Sequence, residues 1–342
     1  MRPALSITPL GTTDATVSTL GFGAASLGNL YRAISDETAE ETLQAALDAG
    51  IASFDTAPHY GQGLSERRVG RFLASCSRSY TLSTKVGRVM KPIAPPSAGA
   101  ERHGFVDGDP FEPEFDYSYD GIMRSFEDSL GRLGGARVSL LLAHDIGRVT
   151  HGADHEHHLK AFLGGGYRAM RDLKDQGTVK AIGLGVNEWQ VCEDILGHVD
   201  LDVVLLAGRY TLLEQTALDS FLPLCERRGV AVLAAGPFNS GILSGGTTYN
   251  YASAPASIVT RVQALQAVCA AHNVPVAAAA LQFPLAHSAV TSVVAGMASP
   301  AEVAQNIERF TTVIPHGLWD DLKAQGLLPA HAPVPGLQAV AS

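Results

Sequence analysis

Short apolar segments alternate with longer segments of helical periodicity along almost the whole chain, and this alternation limits the folds available to it. The apolar segments contain mainly Val, Ile, Leu and Ala, as expected of parallel strands that are buried on both faces. Eight strands are predicted, at residues 18–23, 51–55, 80–85, 138–143, 179–184, 202–207, 229–235 and 290–295. Eight strand–helix units favour a (β/α)8 TIM barrel, in the α/β class, over an open doubly wound sheet.

The segments between the strands have the period of amphipathic helices. In residues 36–49 the apolar side chains fall on one face, acids crowd the first turn, and Gly50 ends the helix. The further helices are predicted at 64–75, 118–133, 159–176, 188–197, 214–228, 256–272, 275–286 and 299–309. An open dinucleotide-binding sheet would require a third glycine after Gly21-Phe22-Gly23, and Ser26 occupies that position.

The remaining segments are additions to a single predicted domain, 1–342, whose barrel core covers about 18–310. Alternation over residues 4–18 predicts a short N-terminal β-hairpin. Residues 91–117 and 236–256 form long loops without a clear period, which we expect to lie over the C-terminal face of the barrel. The Pro- and Ala-rich tail, 327–342, is expected to be loosely attached.

Composition excludes several classes of protein. The net charge is −9 and there is no basic patch, so we expect no nucleic-acid partner. The four cysteines are far apart, which argues against a disulfide framework or a zinc ribbon. No signal peptide and no apolar run of about 18 residues is present, so we expect no membrane segment. The prediction is a cytoplasmic protein that binds a small molecule; the sequence does not indicate its oligomeric state.

Polar side chains lie at the predicted ends of three successive strands. Asp55, Lys85 and His144 hold these positions, and Tyr60 follows Asp55 in the stretch FDTAPHYG. Singly, each has an ordinary explanation, such as an Asx-turn, a solvated lysine, a core histidine or a packed tyrosine. Because strand ends converge on one face of a barrel, we expect them to form a proton-transfer site. Asp55 would neutralise Lys85, and Lys85 would lower the pKa of the Tyr60 phenol from about 10.

These segments resemble the aldo-keto reductases over roughly residues 18–310. The resemblance rests on Gly21-Phe22-Gly23, FDTAPHYG, STK at 83–85, LLAHD at 141–145 and GLGVNE at 183–188. It implies an NAD(P)-dependent oxidoreductase in which Tyr60 exchanges the proton, Lys85 and Asp55 tune it, and His144 orients the substrate. The implied cofactor-binding residues are Gly23, Asn187, Arg209, Phe238, Gly241, Gly296, Glu302 and Asn306.

The resemblance is imperfect where the cofactor would bind. At the end of the sixth strand Ala207 or Gly208 stands where many members have glutamine, so Asn187 alone would bind the carboxamide. Small residues follow the seventh strand, which leaves Phe238 to stack on the nicotinamide. No Lys or Arg occurs from Gly296 to Asn306, and Glu302 would repel a 2′-phosphate. We therefore expect NAD rather than NADP, although Glu302 is also an ordinary first-turn acid.

Within the family the motifs are closest to the sugar 1-dehydrogenases acting on D-threo-aldoses, L-fucose and L-galactose, with pyridoxal 4-dehydrogenase in the same neighbourhood. The implied reaction is oxidation of a cyclic hemiacetal to a lactone. A broad NADPH-dependent carbonyl reductase and a non-catalytic nucleotide-sensing subunit are the alternatives. Four further histidines, at positions 151, 155, 157 and 158, are interpreted as a solvated loop rather than a metal site.

Overall fold

The computed structural model describes residues 5–336, which begin with a β-hairpin. Its strands, Ile7–Pro9 and Thr16–Ser18, pair antiparallel with Ile7 opposite Ser18. The predicted hairpin is therefore present, apart from residue 4, which lies outside the described residues. Leu10, Ala15 and Val17 of the hairpin are buried against side chains inside the barrel. The hairpin thus closes the N-terminal end of the barrel, and chemistry is left to the other end.

The predicted (β/α)8 barrel is confirmed. Eight parallel strands pair in chain order and close on themselves. They are β1 (Leu20–Gly23), β2 (Ser53–Asp55), β3 (Thr81–Val86), β4 (Leu140–His144), β5 (Ala181–Val186), β6 (Val203–Ala207), β7 (Ala231–Ala235) and β8 (Val290–Gly296). We call the end at which the strands finish the mouth. The register pairs Gly23 with Asp55 and His144 with Gly185, so each pair lies side by side near the mouth.

Helices cover the outside of the barrel, and most begin within two residues of the prediction. They are α1 (Asp36–Asp48), α2 (Leu64–Ala74), α3 (Tyr119–Leu133), α4 (Arg148–His151), α5 (His155–Ala161), α6 (Tyr167–Asp175), α7 (Gln190–Leu196), α8 (Phe221–Arg228), α9 (Ala256–Ala271), α10 (Val276–Gln282), α11 (Pro300–Phe310) and α12 (His316–Ala324). A π-helical turn, Phe162–Gly166, joins α5 to α6.

Two predictions of local structure are wrong, and one helix was missed. The helix expected over 214–228 begins only at Phe221, because residues 211–220 form buried turns in which Gln215 donates to the carbonyls of Thr211 and Leu212. These turns bury apolar side chains and so imitate a helical pattern. The tail is not loose as far as it is described: Leu328 and Ala332 are buried. Residues 337–342 lie outside the described residues, and α12 was not predicted.

The two long loops contain hairpins that have no signature in the sequence. Strands Arg88–Pro92 and Phe111–Phe115 pair antiparallel beyond β3, and a smaller pair, Glu101–Arg102 with Phe105–Val106, lies between them. The chain enters this insertion at Gly87, whose φ is 97°. A Cβ there would lie 2.4 Å from the ring of Tyr117, so the sharp turn requires glycine.

The loop after β7 contains a short 3₁₀ helix, Ile242–Ser244, and paired strands Thr248–Tyr249 and Ala252–Ser253. Within residues 5–336 no single helix is long and apolar enough to cross a membrane; α9 and the stretch 276–286 meet that test only together, and the chain bends by 98° between them.

Candidate active site

Lys85 is the centre of the polar cluster at the mouth. Its side chain is 1% exposed, and an ammonium group has three protons to donate. Nζ donates to Asp55 Oδ2 at 2.7 Å, to the carbonyl of Thr56 at 2.9 Å and to the Tyr60 hydroxyl at 3.1 Å. Asp55 also accepts a 2.6 Å bond from Ser83 Oγ. The carboxylate raises the pKa of Lys85 against the opposing effect of burial, so the lysine stays charged.

Tyr60 lies on the other side of this ammonium group. Because its oxygen accepts from Lys85, its own proton is available to a ligand at the mouth. Close backbone packing holds the residue in place: a Cβ on Gly28 would lie 2.5 Å from the Tyr60 carbonyl carbon, and one on Gly61 2.4 Å from the Gly28 oxygen. Glycine at both positions therefore allows the loop after β1 to press against the tyrosine.

The pKa of Tyr60 does not move in the predicted direction. Burial raises it above the ordinary value for a phenol, and the Asp55 carboxylate adds to this rise, while the Lys85 ammonium opposes it. The cation was predicted to dominate and to lower the pKa. In the structure Lys85 is already neutralised by Asp55, so desolvation of the phenolate decides the direction.

His144 ends β4 and faces the same space. Its ring centre lies 5.9 Å from that of Tyr60, with the planes nearly perpendicular. Burial and the charges of Arg88 and Lys85 hold its pKa well below the usual value, so the imidazole is neutral. Nδ1 is buried and meets no hydrogen-bond partner among residues 5–336, whereas Nε2 lies 3.4 Å from Asp145 Oδ2.

A second ion pair lies beside His144. Arg88, at the start of the insertion after β3, donates to Asp145 Oδ2, and both side chains are largely buried. Asp145 Oδ1 accepts from Asn187 Nδ2 at 3.1 Å. The Asp145 carboxylate therefore connects groups that follow β3, β4 and β5. Burial raises its pKa despite the opposing Arg88 guanidinium.

Aromatic side chains form a roof over the cluster. The ring of His59 lies 6.0 Å from that of His144, 5.7 Å from His103 and 5.5 Å from Phe105. Phe105 also lies 6.1 Å from the Tyr60 ring. Burial and the neighbouring positive charges lower the pKa of His59 to about 2. The insertion 91–117 thus supplies part of the mouth, as its position after the third strand predicted.

The mouth has two unlike halves. Asp55, Lys85, His144 and Asn187 lie at the ends of β2 to β5, which we call the polar half. The ends of β6, β7, β8 and β1 bring Gly208, Gly236, Gly296 and Gly23, which we call the glycine half. Within residues 5–336, a Cβ added at Gly296 would meet nothing nearer than the Gly23 oxygen at 3.9 Å. The glycine half therefore brings few side chains to the space beside the polar cluster.

A sequence model of the aldo/keto reductase family matches residues 19–324, which include every strand of the barrel. The match also includes Asp55, Tyr60, Lys85 and His144, which we call the Lys85 cluster. The chain belongs to the aldo/keto reductase family. It is an oxidoreductase, and enzymes of this family use nicotinamide cofactors.

Known relatives cover nearly the full length of this aldo/keto reductase. Pyridoxal 4-dehydrogenase of Microbacterium luteolum is 47% identical over 332 residues, which cover 93% of this chain and 97% of that protein. D-threo-aldose 1-dehydrogenase of a Pseudomonas species is 40% identical over 321 residues, 92% of this chain and 95% of that protein. The solved holo form of an aldo-keto reductase from Bacillus halodurans has a TM-score of 0.70 at 26% identity and covers 95% of this chain and 97% of that one.

The residues predicted to bind the cofactor fall into two groups. Asn187 and Arg209 lie together, because Arg209 Nε donates to the Asn187 carbonyl at 2.7 Å. Arg209 also pairs with Glu214 at 2.9 Å, and Glu214 accepts from the hydroxyl of Tyr249 in the loop after β7. Gly241 stands in the same loop with a φ of 103°. This group lies next to the polar half.

The second group lies around α11, next to the glycine half. Asn306 Oδ1 accepts from Arg309 Nη1 at 3.1 Å, and the Arg309 guanidinium lies 5.6 Å from the centre of the Phe238 ring. Glu302 accepts from the backbone N–H of Ala298 at 2.8 Å and pairs with Arg32 at 2.8 Å. No basic residue occurs from 296 to 306, yet the fold places one there from the loop after β1, which the sequence did not indicate.

The histidine segment is helical and only partly solvated, so the predicted solvated loop is wrong. His155 is buried, and the rings of His151 and His158 lie 4.1 Å apart. His151 Nε2 lies 3.0 Å from the hydroxyl of Tyr117, which donates to the His144 carbonyl at 2.6 Å. In the part of the chain that the structure describes, no three His, Cys, Asp or Glu side chains are grouped as metal ligands.

Several residues of the site were not found from the sequence. Asp145 is the last residue of the recognised motif LLAHD, and Arg88 lies three residues after STK, so their proximity to those motifs was a usable signal. His59 directly precedes Tyr60 within FDTAPHYG and could have been identified by the same proximity. Tyr251, whose hydroxyl lies 3.4 Å from Asn187 Oδ1, stands in a long loop with no pattern that could have identified it.

Proposed function

We propose that this enzyme oxidises a cyclic hemiacetal to a lactone with NAD as the hydride acceptor. The observation that carries the proposal is the Lys85 cluster, in which a buried ammonium group binds Asp55 at 2.7 Å and the Tyr60 hydroxyl at 3.1 Å. Proton transfer by a positioned side chain is what the oxidation of a hydroxyl group requires.

Tyr60 takes the proton of the hemiacetal hydroxyl as the C–H bond breaks. The phenolate form that accepts this proton is stabilised by the Lys85 ammonium. When Tyr60 is neutral, Asp55 remains as the counter-charge of the ammonium group. A neutral His144 donates a hydrogen bond to the substrate oxygen, on which negative charge develops. One O–H and one C–H bond break and a carbonyl forms; the two electrons leave with the hydride and the proton passes through Tyr60 to water.

The glycine half is suited to hold the nicotinamide, which when bound accepts the hydride. Gly296 leaves open space at its α-carbon for a flat ring, and Asn187 lies at the border of this half with an amide available to the carboxamide. Tyr251, at 3.4 Å from Asn187 Oδ1, is a better placed aromatic neighbour of this amide than Phe238, which lies beside Arg309.

NAD is proposed over NADP because of Glu302. Its carboxylate stands at the start of α11 and is partly exposed, at 39% of the side chain. It would repel the 2′-phosphate of NADP and could accept a hydrogen bond from the free ribose hydroxyl of NAD. Arg32 pairs with Glu302 at 2.8 Å, but both side chains are exposed, at 63% and 39%, so the pair screens the carboxylate only weakly.

Pyridoxal and aldoses are the two substrate candidates, and both can present a cyclic hemiacetal. The aromatic roof of His59, His103 and Phe105 favours the flat pyridine ring of pyridoxal, and the 47% identity to a pyridoxal 4-dehydrogenase supports it. The neutral imidazoles of His59 and His144 equally suit the hydroxyl groups of a sugar, in line with the 40% identity to an aldose 1-dehydrogenase.

The test is a screen for NADH appearance with pyridoxal, L-fucose, D-arabinose and L-galactose, run in parallel with NADP. We expect turnover on at least one substrate with NAD, and a loss of roughly 100-fold or more in Tyr60→Phe with NADH binding retained. Full turnover in Tyr60→Phe would remove Tyr60 from the mechanism. Cofactor binding without turnover on any hemiacetal or carbonyl substrate would favour the nucleotide-sensing alternative.

A further inference from the structure

We propose that Asp145 is a positioning residue that decides which atoms of His144 and Asn187 donate hydrogen bonds at the mouth and which accept them. The inference rests on the proposed function, because it assigns the donor and the acceptor that the mouth presents. The carboxylate accepts a hydrogen bond from Asn187 Nδ2 at 3.1 Å and lies 3.4 Å from His144 Nε2, where its charge acts on the imidazole.

The orientation of the Asn187 amide follows from the chemistry of its partner. An ionised carboxylate only accepts hydrogen bonds, so the atom that faces Asp145 Oδ1 must be the NH2 group. The amide oxygen then points away from Asp145, where the hydroxyl of Tyr251 approaches it to 3.4 Å. Asn187 is thereby presented as an acceptor, which is what the NH2 of a nicotinamide carboxamide needs.

The same carboxylate selects the tautomer of His144. With the proton on Nε2, the N–H lies 3.4 Å from Asp145 Oδ2 without forming a hydrogen bond to it, so the negative charge favours the proton on this nitrogen and leaves it free for a ligand. With the proton on Nδ1, a buried N–H would have no partner among residues 5–336. Since leaving a buried donor without a partner is costly, the Nε2–H form is favoured. His144 therefore offers a donor to the substrate oxygen.

Arg88 favours the ionised form of Asp145 and opposes the effect of burial. Its guanidinium pairs with Oδ2, and its side chain is only 8% exposed. The backbone also fixes the position of Asp145. Its φ is 49°, which is unusual for a residue with a side chain. Its N–H donates to the Gly185 carbonyl at 2.9 Å and so continues the hydrogen bonding between β4 and β5. A strained conformation held by the surrounding structure is typical of functional sites.

The decisive variant is Asp145→Asn, which keeps the shape and removes the acceptor-only character. We expect kcat/KM for the hemiacetal to fall roughly 10- to 100-fold, taking as a guide the range found when the orienting partner of a metal-binding histidine is lost. Arg88→Gln/Asp145→Asn separates two explanations. If Asp145 only neutralised Arg88, the double variant would recover turnover; because Asp145 orients its neighbours, we expect it to remain as slow as Asp145→Asn.

Asp202→Asn is the matched control. Asp202 is similarly shielded, at 16% exposure against 12%, pairs with Lys174 at 2.6 Å and accepts from the Ile182 N–H, but at the opposite end of the barrel. It should lose comparable thermal stability without loss of turnover. Equal turnover of Asp145→Asn and the wild type, or recovery in the double variant, would overturn the proposal.

A spectroscopic measurement needs no substrate and so keeps this proposal separable from the proposed function. In protein containing isotope-labelled histidine, long-range proton–nitrogen spectra report the tautomer of His144, assigned by its absence in His144→Gln. We expect the Nε2–H form in the wild type and a mixture in Asp145→Asn. An Nδ1–H form in the wild type would contradict the role given to Asp145, whatever the enzyme oxidises.

Discussion

Replacing Lys85 by methionine tests the energetic centre of the site. Lys85→Met keeps most of the length and apolar volume of the side chain and removes the charge. Asp55, which is 6% exposed, would then retain only the bond from Ser83 and would be a buried carboxylate without a counter-charge. The pair is therefore expected to affect stability and catalysis in different ways.

The size of the stability effect follows from the geometry. At 2.7 Å and an effective dielectric constant near 20, the attraction between the two charges is about 6 kcal/mol. Desolvation of both groups offsets much of this, so the pair itself contributes little net stability, but breaking it costs about 3–5 kcal/mol. In Lys85→Met/Asp55→Asn no charge is left behind, and we expect the free energy of unfolding to return to within about 2 kcal/mol of the wild type.

Catalysis should not recover in the double variant. Without the ammonium group nothing opposes the burial that raises the pKa of Tyr60, so the phenol gives and takes protons less readily. We expect both variants to lose roughly 100-fold or more in kcat with the same substrate. Recovery of stability without recovery of turnover is the signature of a pair that is present for its chemistry.

Urea denaturation and steady-state kinetics measure the two effects. Arg171→Met is the control, because Arg171 pairs with Asp175 on the surface at 47% and 59% exposure, and such pairs contribute at most about 1 kcal/mol. The reasoning is refuted if Lys85→Met is destabilised no more than this control, or if the double variant is as unstable as Lys85→Met alone.

Three further predictions follow from the same site. Because burial raises the pKa of Tyr60, kcat/KM for oxidation should rise by up to about tenfold per pH unit between roughly pH 7 and 9, while kcat/KM for reduction stays flat. A fall of the oxidation profile over this range in steady-state assays would contradict the prediction. Glu302→Gln should lower the NAD/NADP ratio of kcat/KM roughly tenfold by removing the repulsion, and Glu308→Gln on the same helix should leave the ratio unchanged. The pKa of His59 is lower in the folded than in the unfolded chain, at about 2 against 6.5. The contribution of neutral His59 to the free energy of unfolding is therefore complete above about pH 6.5 and is lost as the pH falls toward 2, by at most about 1.4 kcal/mol per pH unit. His59→Gln should flatten the decline of the melting temperature between roughly pH 7 and 5.

The barrel was predictable because its signal is local and repeated. Each strand is an apolar run between turn residues, and eight such runs determine the topology without knowledge of any single contact. The same logic placed Asp55, Lys85 and His144 in one mouth, since parallel strands in a closed barrel finish at the same end. The helix predicted over 214–228 failed for a related reason, because buried turns there share the apolar spacing of a helix.

The second ion pair could not be derived from spacing. Arg88 and Asp145 are 57 residues apart and come together only because the chain turns at Gly87 and because Asp145 adopts a left-handed conformation. Likewise, Arg32 reaches Glu302 across 270 positions of sequence, and Tyr251 reaches Asn187 through a loop without periodicity. Contacts of this kind depend on where loops fold over the mouth.

The sequence by itself determined the barrel, the family and the four residues of the proposed proton-transfer cluster, because these depend on patterns that recur at each strand end. Only the tertiary structure decided the electrostatic state of that cluster. Burial is a property of the whole fold, and it raises the pKa of Tyr60 although a lysine lies beside it. The fold also decided which groups orient His144 and Asn187, because one carboxylate reaches both only when the ends of β4 and β5 lie side by side.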